Sequence, residues 1–382
     1  GDIMTKPLNV GFLGFGFIGK VHAYGYLNLP LHYDPVPFPT RITHICTSRQ
    51  ETAEKGAAQV GADVATTDFK AITENPDIDI VHICTPNNRH RDELLSAMAH
   101  QKHIYCDKPI TAQLSEASEV EKALDAYEGI AQMTFQYRFY PATMRAKQLM
   151  EDGFVGEVLS FRASYLHSGS VSPTTPLKWK LSGTTGGGVI ADLGAHVFDL
   201  MHHLLGDFAS MSAATHQAYA ERPSVDDSAR NVVVDAEDQA TVLLRLPNGA
   251  LGTLEFSKIA TGTEDELRFE IHGTYGAIRF NLMAPHYLEV YDLRSTDSPI
   301  GGKRGWTTID TGQRYPAPAA TMPSPKCAIG WMRGHMACLA NFLYAIAKKE
   351  QPEPSLKQGI YIQHLIHKAR ESASSQAWID CN

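Results

Sequence analysis

The stretch Asn9–Lys20, which reads NVGFLGFGFIGK, decides the fold of the first part of the chain. A short apolar run ends in a G-x-G-x-x-G turn, and a helix-like segment follows. A dinucleotide site needs this order, because the glycines permit a tight turn, close approach of a pyrophosphate, and close packing of the helix on the strand. The free N–H groups at the helix start then face the phosphates. We therefore expect cofactor contacts at Gly14, Gly16, Phe17, Ile18 and Gly19.

The sequence continues with alternating strand and helix patterns as far as about residue 138. Strands are predicted over 8–13, 41–46, 78–84, 103–106 and 130–135. Helices are predicted over 17–28, 50–60, 69–74, 88–100 and 115–127, and the prolines of the first connection (Pro30, Pro35, Pro37 and Pro39) are expected outside any helix. Strands separated by helices indicate a parallel, doubly wound sheet, which is an α/β fold. Ligands of such sheets bind at the carboxyl ends of the strands.

The pattern changes after residue 138, where alternating segments follow one another without intervening helices. Strands are predicted over 158–165, 239–246, 250–256, 266–272, 277–280 and 287–291, with helices over 141–151, 189–205, 331–348 and 356–373. The Gly-, Pro- and Thr-rich stretch 295–325 is expected to be a long loop. This pattern predicts an α+β domain with a large, mostly antiparallel open sheet. We place the dinucleotide domain at 5–138 and the second domain at 139–382.

Composition limits the classes of partner. The chain has 382 residues, and 43% of them are hydrophobic, as in ordinary globular proteins. The formal charge of −8 disfavours nucleic acid and anionic membranes as partners. The six cysteines are scattered and form no C-x-x-C, so we expect reduced thiols in a cytoplasmic protein and no metal site.

Two stretches carry the side chains that a redox reaction would need. In the first, Pro109 stops a strand and Lys108 would project over the strand ends, where an ammonium can stabilise developing alkoxide charge. The alternative is a surface lysine before a proline turn. In the second, Asp192 and His196 stand four residues apart, as on one helix face, where a carboxylate can orient an imidazole for general acid–base work.

The spacing of Asp192 and His196 is also typical of two non-catalytic arrangements. One is a structural hydrogen bond within a helix. The second is a metal pair, since His202 and His203 follow closely, but no third and fourth ligand has suitable spacing.

These stretches in their order resemble the Gfo/Idh/MocA family of NAD(P)-dependent sugar and polyol oxidoreductases, over nearly the whole chain. The resemblance rests on the glycine turn, on the stretches 84–90, 107–109, 136–139 and 186–199, and on the stretches 330–335 and 359–363. It implies a Rossmann domain followed by an α+β domain that binds a small sugar or polyol. It also implies a homodimer or homotetramer formed through the open sheet of the second domain.

The resemblance implies a role for each matching residue. Lys108 matches the active-site lysine, and Asp192 and His196 match a D-x-x-x-H pair with His196 as proton carrier. The cofactor-side residues would be Thr85, Pro86, Asn87, His90, Asp107 and Lys108, with Asp107 departing from the family's usual Glu. The substrate-side residues would be Lys108, Tyr137, Arg138, Trp179, Asp192 and His196, although Trp179 is equally explained as a packed aromatic. His22 and His167 are interpreted as structural or pocket-edge groups.

The end of the second strand bears on the choice between NAD and NADP. A carboxylate there would hold the ribose 2′-OH of NAD, but Thr47, Ser48 and Arg49 come first and Glu51 falls in the following helix. Ser48 and Arg49 can bind a 2′-phosphate, so the sequence favours NADP. The alternative is that Ser48 caps the helix and Arg49 is a solvated charge.

The expected reaction is hydride transfer between a nicotinamide and a carbinol carbon of a sugar, with His196 as acid/base and Lys108 stabilising the oxygen. One alternative is a glycosidase or hydride-exchanging oxidoreductase that holds its cofactor tightly. Another is a non-catalytic binder of cofactor or sugar.

Overall fold

The computed structural model describes residues 6–319 and 322–382. Its described residues form two compact units. The first unit comprises residues 6–136, 315–319, 322–324 and 331–363, and the second comprises 137–314, 325–330 and 364–382. Thr5, where the predicted first domain begins, and Ala320 and Thr321 of the predicted loop lie outside the described residues.

The first unit is built on a six-stranded parallel sheet in the order β3-β2-β1-β4-β5-β6. Its strands are β1 (Leu8–Leu13), β2 (Thr40–Cys46), β3 (Val64–Thr66), β4 (Ile80–Ile83), β5 (His103–Cys106) and β6 (Ala131–Met133). Its helices are α1 (Phe17–His32), α2 (Gln50–Val60), α3 (Lys70–Thr73), α4 (Asn87–Ala99) and α5 (Leu114–Ala123). The order reverses between β1 and β4, and ligands of such sheets bind at the strand ends beside this reversal.

The predicted doubly wound sheet is confirmed, with two differences along the chain. The short strand β3 was not predicted, because its three residues carry too little pattern. The prediction that Pro30 lies outside any helix was wrong, since α1 extends to His32. Pro30 stands in the last turn of α1, so only two residues continue the helix after it.

The second unit is built on a nine-stranded, mostly antiparallel sheet in the order β16-β15-β14-β13-β7-β12-β11-β8-β17. Its strands are β7 (Val158–Leu166), β8 (Ser210–His216), β11 (Gln239–Arg245), β12 (Leu251–Ser257), β13 (Glu266–Gly273), β14 (Gly276–Asn281), β15 (Tyr287–Asp292), β16 (Trp306–Asp310) and β17 (Ile379–Asp380). A separate pair consists of β9 (Glu221–Pro223) and β10 (Asn231–Val233). The remaining helices of the chain are α6 (Pro141–Glu151), α7 (Ala195–Leu205), α8 (Trp331–Lys348) and α9 (Leu356–Ser375). Helix α8 belongs to the first unit, and the division between the two units falls within α9.

The large sheet is confirmed, and only β7 and β12 pair in parallel within it. One face is packed and the other open, as β11 shows: Val242 and Leu244 are buried, whereas Leu243 and Arg245 are exposed. The prediction of a long loop over 295–325 was wrong in part, because β16 lies inside it. Among the described residues, no helix has both the length and the apolar character to cross a membrane.

The predicted division of the chain at residue 138 stays a prediction about the domains. The compact units differ from it because residues 315–319, 322–324 and 331–363 belong to the unit of the parallel sheet although they come late in the chain. Gly359 illustrates this, because a Cβ atom there would meet the Met133 sulfur at 2.7 Å.

Candidate active site

The turn after β1 has the backbone geometry that a pyrophosphate needs. Gly14 has φ +86°, and a Cβ atom there would lie 2.5 Å from the carbonyl oxygen of Cys84. A Cβ atom on Gly19 would lie 2.7 Å from the Gly14 oxygen, whereas one on Gly16 would meet no described atom within 4 Å. Helix α1 begins at Phe17 without a side-chain cap. Gly14 and Gly19 therefore pack against other backbone atoms and leave no room for a side chain. The space beside Gly16 and the start of α1 is suited to a dinucleotide phosphate.

Two threonine side chains form hydrogen bonds with the backbone of the loop that follows β2. Both the Thr47 and Thr52 hydroxyls donate to the Arg49 carbonyl oxygen, at 2.8 and 2.9 Å. Arg49 is the residue before α2, and the side chains of Ser48 and Arg49 are exposed. Glu51 lies in the first turn of α2. The structure therefore leaves Ser48 and Arg49 accessible, and their proposed contact with a cofactor stays a prediction.

The loop after β4 contains a buried carboxyl group that the sequence did not single out. The Thr85 hydroxyl donates to Glu93 Oε2 at 2.6 Å, and Glu93 is only 2% exposed. Burial raises the pKa of Glu93 to about 7. No local pattern in the sequence pairs Thr85 with Glu93, which lies eight residues further on inside α4. Pro86 precedes α4, and the Asn87 side chain is buried at its first residue.

The His90 side chain contacts the backbone of two segments and is not available to solvent. Its Nδ1 lies 3.0 Å from the Pro109 oxygen and its Nε2 lies 2.8 Å from the Thr85 oxygen. The ring is fully buried, and burial lowers the pKa of His90. His90 therefore fixes the loop after β4 against the turn that carries Asp107 and Lys108, both of which are half-buried.

In the second unit, Asp192 and His196 do not lie on one regular α-helix. Asp192 is in a π-helical turn, Ile190–Gly194, and His196 is in the first turn of α7. Such turns occur often at functional sites. The Asp192 carboxylate lies 2.8 Å from Lys258 Nζ and 3.7 Å from Lys180 Nζ. The two ammonium groups favour the ionised form of Asp192, which is then an acceptor rather than a proton donor.

Lys258 was missed because it is a single lysine after a strand, distant in sequence from Asp192. Its side chain is 8% exposed. A buried lysine needs a partner, so its pairing with Asp192 follows from burial. No local pattern in the sequence brings these two residues together.

The His196 ring lies among aromatic side chains. Its centroid is 4.7 Å from that of Tyr137 and 6.0 Å from that of Tyr165. The Tyr165 hydroxyl donates to Asp265 Oδ1 at 2.6 Å, and the two tyrosine hydroxyls are 2.5 Å apart, so Tyr137 is the donor between them. His167 Nε2 lies 2.8 Å from the same Asp265 oxygen. We call Tyr137, Tyr165, His196 and Asp265 the histidine cluster; Tyr165 and Asp265 were not predicted.

Arg138 is engaged in a buried ion pair. Its Nε and Nη2 donate to the two carboxylate oxygens of Asp199 at 2.8 and 2.6 Å. The two side chains are 7% and 2% exposed. Its Nη1 also lies 3.2 Å from Nδ1 of His203. These contacts assign Arg138 a structural task, and its predicted contact with substrate stays untested.

Trp179 stands in a short 3₁₀ turn, Trp179–Leu181, and is half-buried. Lys180 Nζ lies 5.5 Å from its ring centroid, within the range of a cation–π contact. This position fits a packed aromatic as well as a substrate contact, so the two interpretations remain open.

Comparison with known proteins decides the family. The family description "Oxidoreductase family, NAD-binding Rossmann fold" matches residues 8–135, and "Oxidoreductase family, C-terminal alpha/beta domain" matches residues 147–381. The chain belongs to the Gfo/Idh/MocA oxidoreductase family. This confirms the resemblance and the Rossmann fold for a nicotinamide dinucleotide.

Levoglucosan dehydrogenases are similar to this Gfo/Idh/MocA protein over almost their full length. Levoglucosan dehydrogenase of Pseudarthrobacter phenanthrenivorans is 32% identical over 388 aligned residues, covering 98% of each chain. A solved levoglucosan dehydrogenase in complex with NADH has a TM-score of 0.93 at 31% identity, covering 99% of this chain and 100% of that one. Its complex with NADH and levoglucosan has a TM-score of 0.91 at 31% identity, covering 98% and 99%.

Proposed function

We propose that this protein is a dehydrogenase that oxidises a carbinol of a sugar, with anhydrosugars such as levoglucosan as the preferred class. The observation that carries the proposal is the match to levoglucosan dehydrogenase along 98% of both chains. A match of this extent includes the substrate-side half as well as the dinucleotide-binding half. In this proposal residues 5–138 bind the cofactor, and residues 139–382 bind the sugar and form oligomer contacts.

Each side chain has a separate role in the proposed oxidation of the sugar. A nicotinamide dinucleotide on the glycine turn supplies the two-electron acceptor. His196 takes the proton of the sugar hydroxyl, and the Tyr137 ring beside it fixes the imidazole plane. The Lys108 ammonium donates to the substrate oxygen as negative charge develops there.

Asp192 orients the sugar in this proposal. Lys258 holds it ionised, so it accepts a hydrogen bond from a neighbouring hydroxyl. A charged acceptor held by a buried lysine cannot rotate freely, and fixed geometry favours one sugar epimer over another. Lys258→Met should therefore raise the KM for the sugar more than it lowers kcat.

We propose NAD as the working cofactor. The family description names an NAD-binding fold, and the similar levoglucosan dehydrogenase structures contain NADH. The expectation of NADP, based on Ser48 and Arg49, has no support beyond the sequence. The ratio of kcat/KM for the two cofactors decides the point, and Arg49→Ala should lower the value for NADP only.

The function is tested by incubating the protein with NAD and a panel of levoglucosan, inositols and aldoses while following absorbance of the reduced nicotinamide. Levoglucosan should give the highest kcat/KM. Lys108→Met and His196→Asn should each lower kcat by about 10²–10⁴-fold, with NADH affinity retained. His202→Asn is the matched control, since its ring pairs with Asp207 at 2.8 Å.

The double variant tests whether Lys108 and His196 act in one step. If both act on one oxygen, the double variant should be scarcely slower than the slower single variant. Normal turnover in both single variants would refute the assignment. Turnover of sugar without any reduced cofactor accumulating would instead indicate hydride exchange on a tightly held cofactor.

The open face of the nine-stranded sheet is our proposed oligomer contact. It carries exposed apolar side chains, among them Leu243 and Leu251. Light scattering after gel filtration should give a dimer or tetramer, and Leu243→Glu should shift it towards the monomer.

A further inference from the structure

A buried group of metal-binding side chains lies in the first unit, beneath the glycine turn. It consists of His22 on α1, His82 on β4 and Cys84 directly after β4. Their ring nitrogen and sulfur atoms all lie within 4.8 Å of one another, and the side chains are 2%, 0% and 8% exposed. None of the three belongs to the proposed reaction. From the sequence, His22 was interpreted as a structural or pocket-edge group and Cys84 as one of six reduced thiols.

Two of the three separations between the ligand atoms fit a tetrahedral ion. His22 Nδ1 lies 3.2 Å from His82 Nδ1 and 3.4 Å from Cys84 Sγ. Zinc–nitrogen bonds near 2.0–2.1 Å and a zinc–sulfur bond near 2.3 Å place tetrahedral ligands about 3.3 Å apart for two nitrogens and about 3.6 Å for nitrogen and sulfur. The two observed separations are within a few tenths of an ångström of these values.

The surroundings supply a second argument. Tyr26 Oη lies 2.6 Å from His82 Nε2, so a ring that binds through Nδ1 can donate its other N–H to this hydroxyl. Metal-binding histidines commonly have such an outer partner. Nε2 of His22 is buried and has no hydrogen-bond partner among the described residues. Both ring nitrogens of buried His335 also have no hydrogen-bond partner among the described residues. The centroid of the His335 ring lies 5.9 Å from that of the His22 ring.

A network of hydrogen bonds without an ion is the alternative arrangement for this group. Tyr26, His22, His82 and Cys84 can share protons along their contacts, and His22 Nε2 has no described partner in either arrangement. An ion bound by His22 Nδ1, His82 Nδ1 and the Cys84 sulfur would instead use two lone pairs and one thiolate. Two imidazoles and one thiolate are typical ligands for Zn²⁺.

We propose that His22, His82 and Cys84 supply three ligands to one Zn²⁺ ion, or to another divalent ion of similar ligand preference, and that a water molecule bound with the ion takes the fourth tetrahedral position. Binding deprotonates the Cys84 thiol and releases one proton to solvent, while both imidazoles bind as neutral ligands. Because the site is buried, the ion enters during folding. It links α1 to the end of β4, and the Cys84 carbonyl oxygen is the atom that a Cβ on Gly14 would meet. The ion therefore fixes the glycine turn.

The first test is the metal content of the full-length protein, expressed with added zinc and dialysed against a weak chelator. About one equivalent of zinc per chain is expected. Refolding in the presence of Co²⁺ should give the visible bands of a tetrahedral ion together with thiolate-to-cobalt charge transfer. The melting temperature should rise by several degrees over protein refolded with chelator.

Variants locate the ion. Cys84→Ser changes a single atom and should abolish the charge-transfer band and lower the zinc content at least tenfold. His22→Asn should have the same effect. Cys106→Ser is the matched control, because its sulfur is equally buried at the end of the neighbouring strand but lies outside the group, and it should retain the ion.

The proposal is overturned by either of two results. One is wild-type protein that contains no zinc and shows no cobalt charge transfer and no change in melting temperature after refolding with metal. The other is zinc retained in full by Cys84→Ser and His22→Asn, which would place the ion elsewhere. Neither result bears on sugar oxidation, so this site and the proposed reaction are tested separately.

Discussion

The glycine turn is formed by backbone atoms, whereas the histidine cluster is formed by side chains. The glycine turn consists of backbone: three glycines within six residues, one helix start, and the Cys84 carbonyl oxygen. The histidine cluster consists of side chains from positions 137, 165, 196 and 265, contributed by separate elements. A backbone site can be damaged by adding a single atom, whereas a side-chain site depends on buried polar partners.

The largest expected effect on stability concerns the ion pair beside the histidine cluster. Asp199→Ala should lower the free energy of unfolding by about 3–5 kcal/mol, because Arg138 is then a buried charge without its carboxylate. The measurement is thermal unfolding of the second unit. The apolar double variant Arg138→Met/Asp199→Leu should recover most of the loss.

The exposed pair of Arg41 and Asp63 is the control for that measurement. Its atoms are 2.7 Å apart, which is close to the 2.6 and 2.8 Å of the buried pair, but its side chains are about half exposed, at 55% and 53%. Asp63→Ala should cost less than about 1 kcal/mol. Equal losses for Asp199→Ala and Asp63→Ala would mean that burial does not distinguish the two pairs.

The next effect separates two glycines of the turn. Gly14→Ala should destabilise the first unit by about 2–4 kcal/mol, since φ +86° disfavours a Cβ atom that would also overlap the Cys84 oxygen. Gly16→Ala should leave the melting temperature almost unchanged, because its Cβ atom meets nothing described within 4 Å. It should nevertheless weaken NADH binding at least tenfold by occupying the space for the pyrophosphate.

Thermal unfolding and NADH titration of the same two variants provide the check. The opposite result, with Gly14→Ala stable and Gly16→Ala unfolded, would contradict the assignment of the turn. Tight NADH binding by a stable Gly16→Ala protein would place the phosphates elsewhere.

A smaller effect depends on pH. Burial raises the pKa of Glu93 from its usual 4.5 to about 7. Folding therefore favours the protonated acid, and this contribution to stability is present below pH 4.5 and is lost as the pH rises through 7. A change of this size corresponds to about 3 kcal/mol. Glu93→Gln, which stays neutral, should therefore be the more stable protein above pH 7.

The check is the melting temperature of wild type and Glu93→Gln at pH 5.5, 7 and 8.5. The advantage of the variant should grow across the series. The control is Glu54→Gln, because the Glu54 side chain is exposed. Glu116→Gln is not suitable, because Glu116 caps α5. An advantage that shrinks with rising pH would reverse the sign and refute the argument.

The smallest effect concerns the outer end of the histidine cluster. Asp265→Ala removes the acceptor of the buried Tyr165 hydroxyl, and we expect a loss of about 1–2 kcal/mol in stability. It should also raise the sugar KM several-fold, because the Tyr137 ring beside His196 loses its anchor. Asp207→Ala, whose side chain is 80% exposed, is the control and should change neither value. A several-fold rise in KM for both would show a general effect of lost charge.

The comparison also explains what could be predicted. The first sheet, most of its helices and the large sheet were predicted, because alternation and spacing are local signals. The strands β3, β9, β10 and β17 were missed, since each has only two or three residues. The longer strands β8 and β16 were also missed, because their sequences, SMSAATH and WTTID, lack a regular alternation of apolar and polar residues. Pro30 was placed outside α1 by a rule that holds for helix interiors and not for the last turn.

Among the candidate site residues, the sequence determined those that lie within one motif. The glycine turn, Lys108, and the pair Asp192 and His196 were proposed from local motifs, the family resemblance implied Thr85 and His90, and the roles of all of them stay predictions. Only the tertiary structure decided their partners: Glu93 for Thr85, the Pro109 oxygen for His90, and Lys258 for Asp192. The physical reason is that spacing fixes backbone conformation within a few residues, whereas burial forces polar groups to find partners wherever the folded chain brings them.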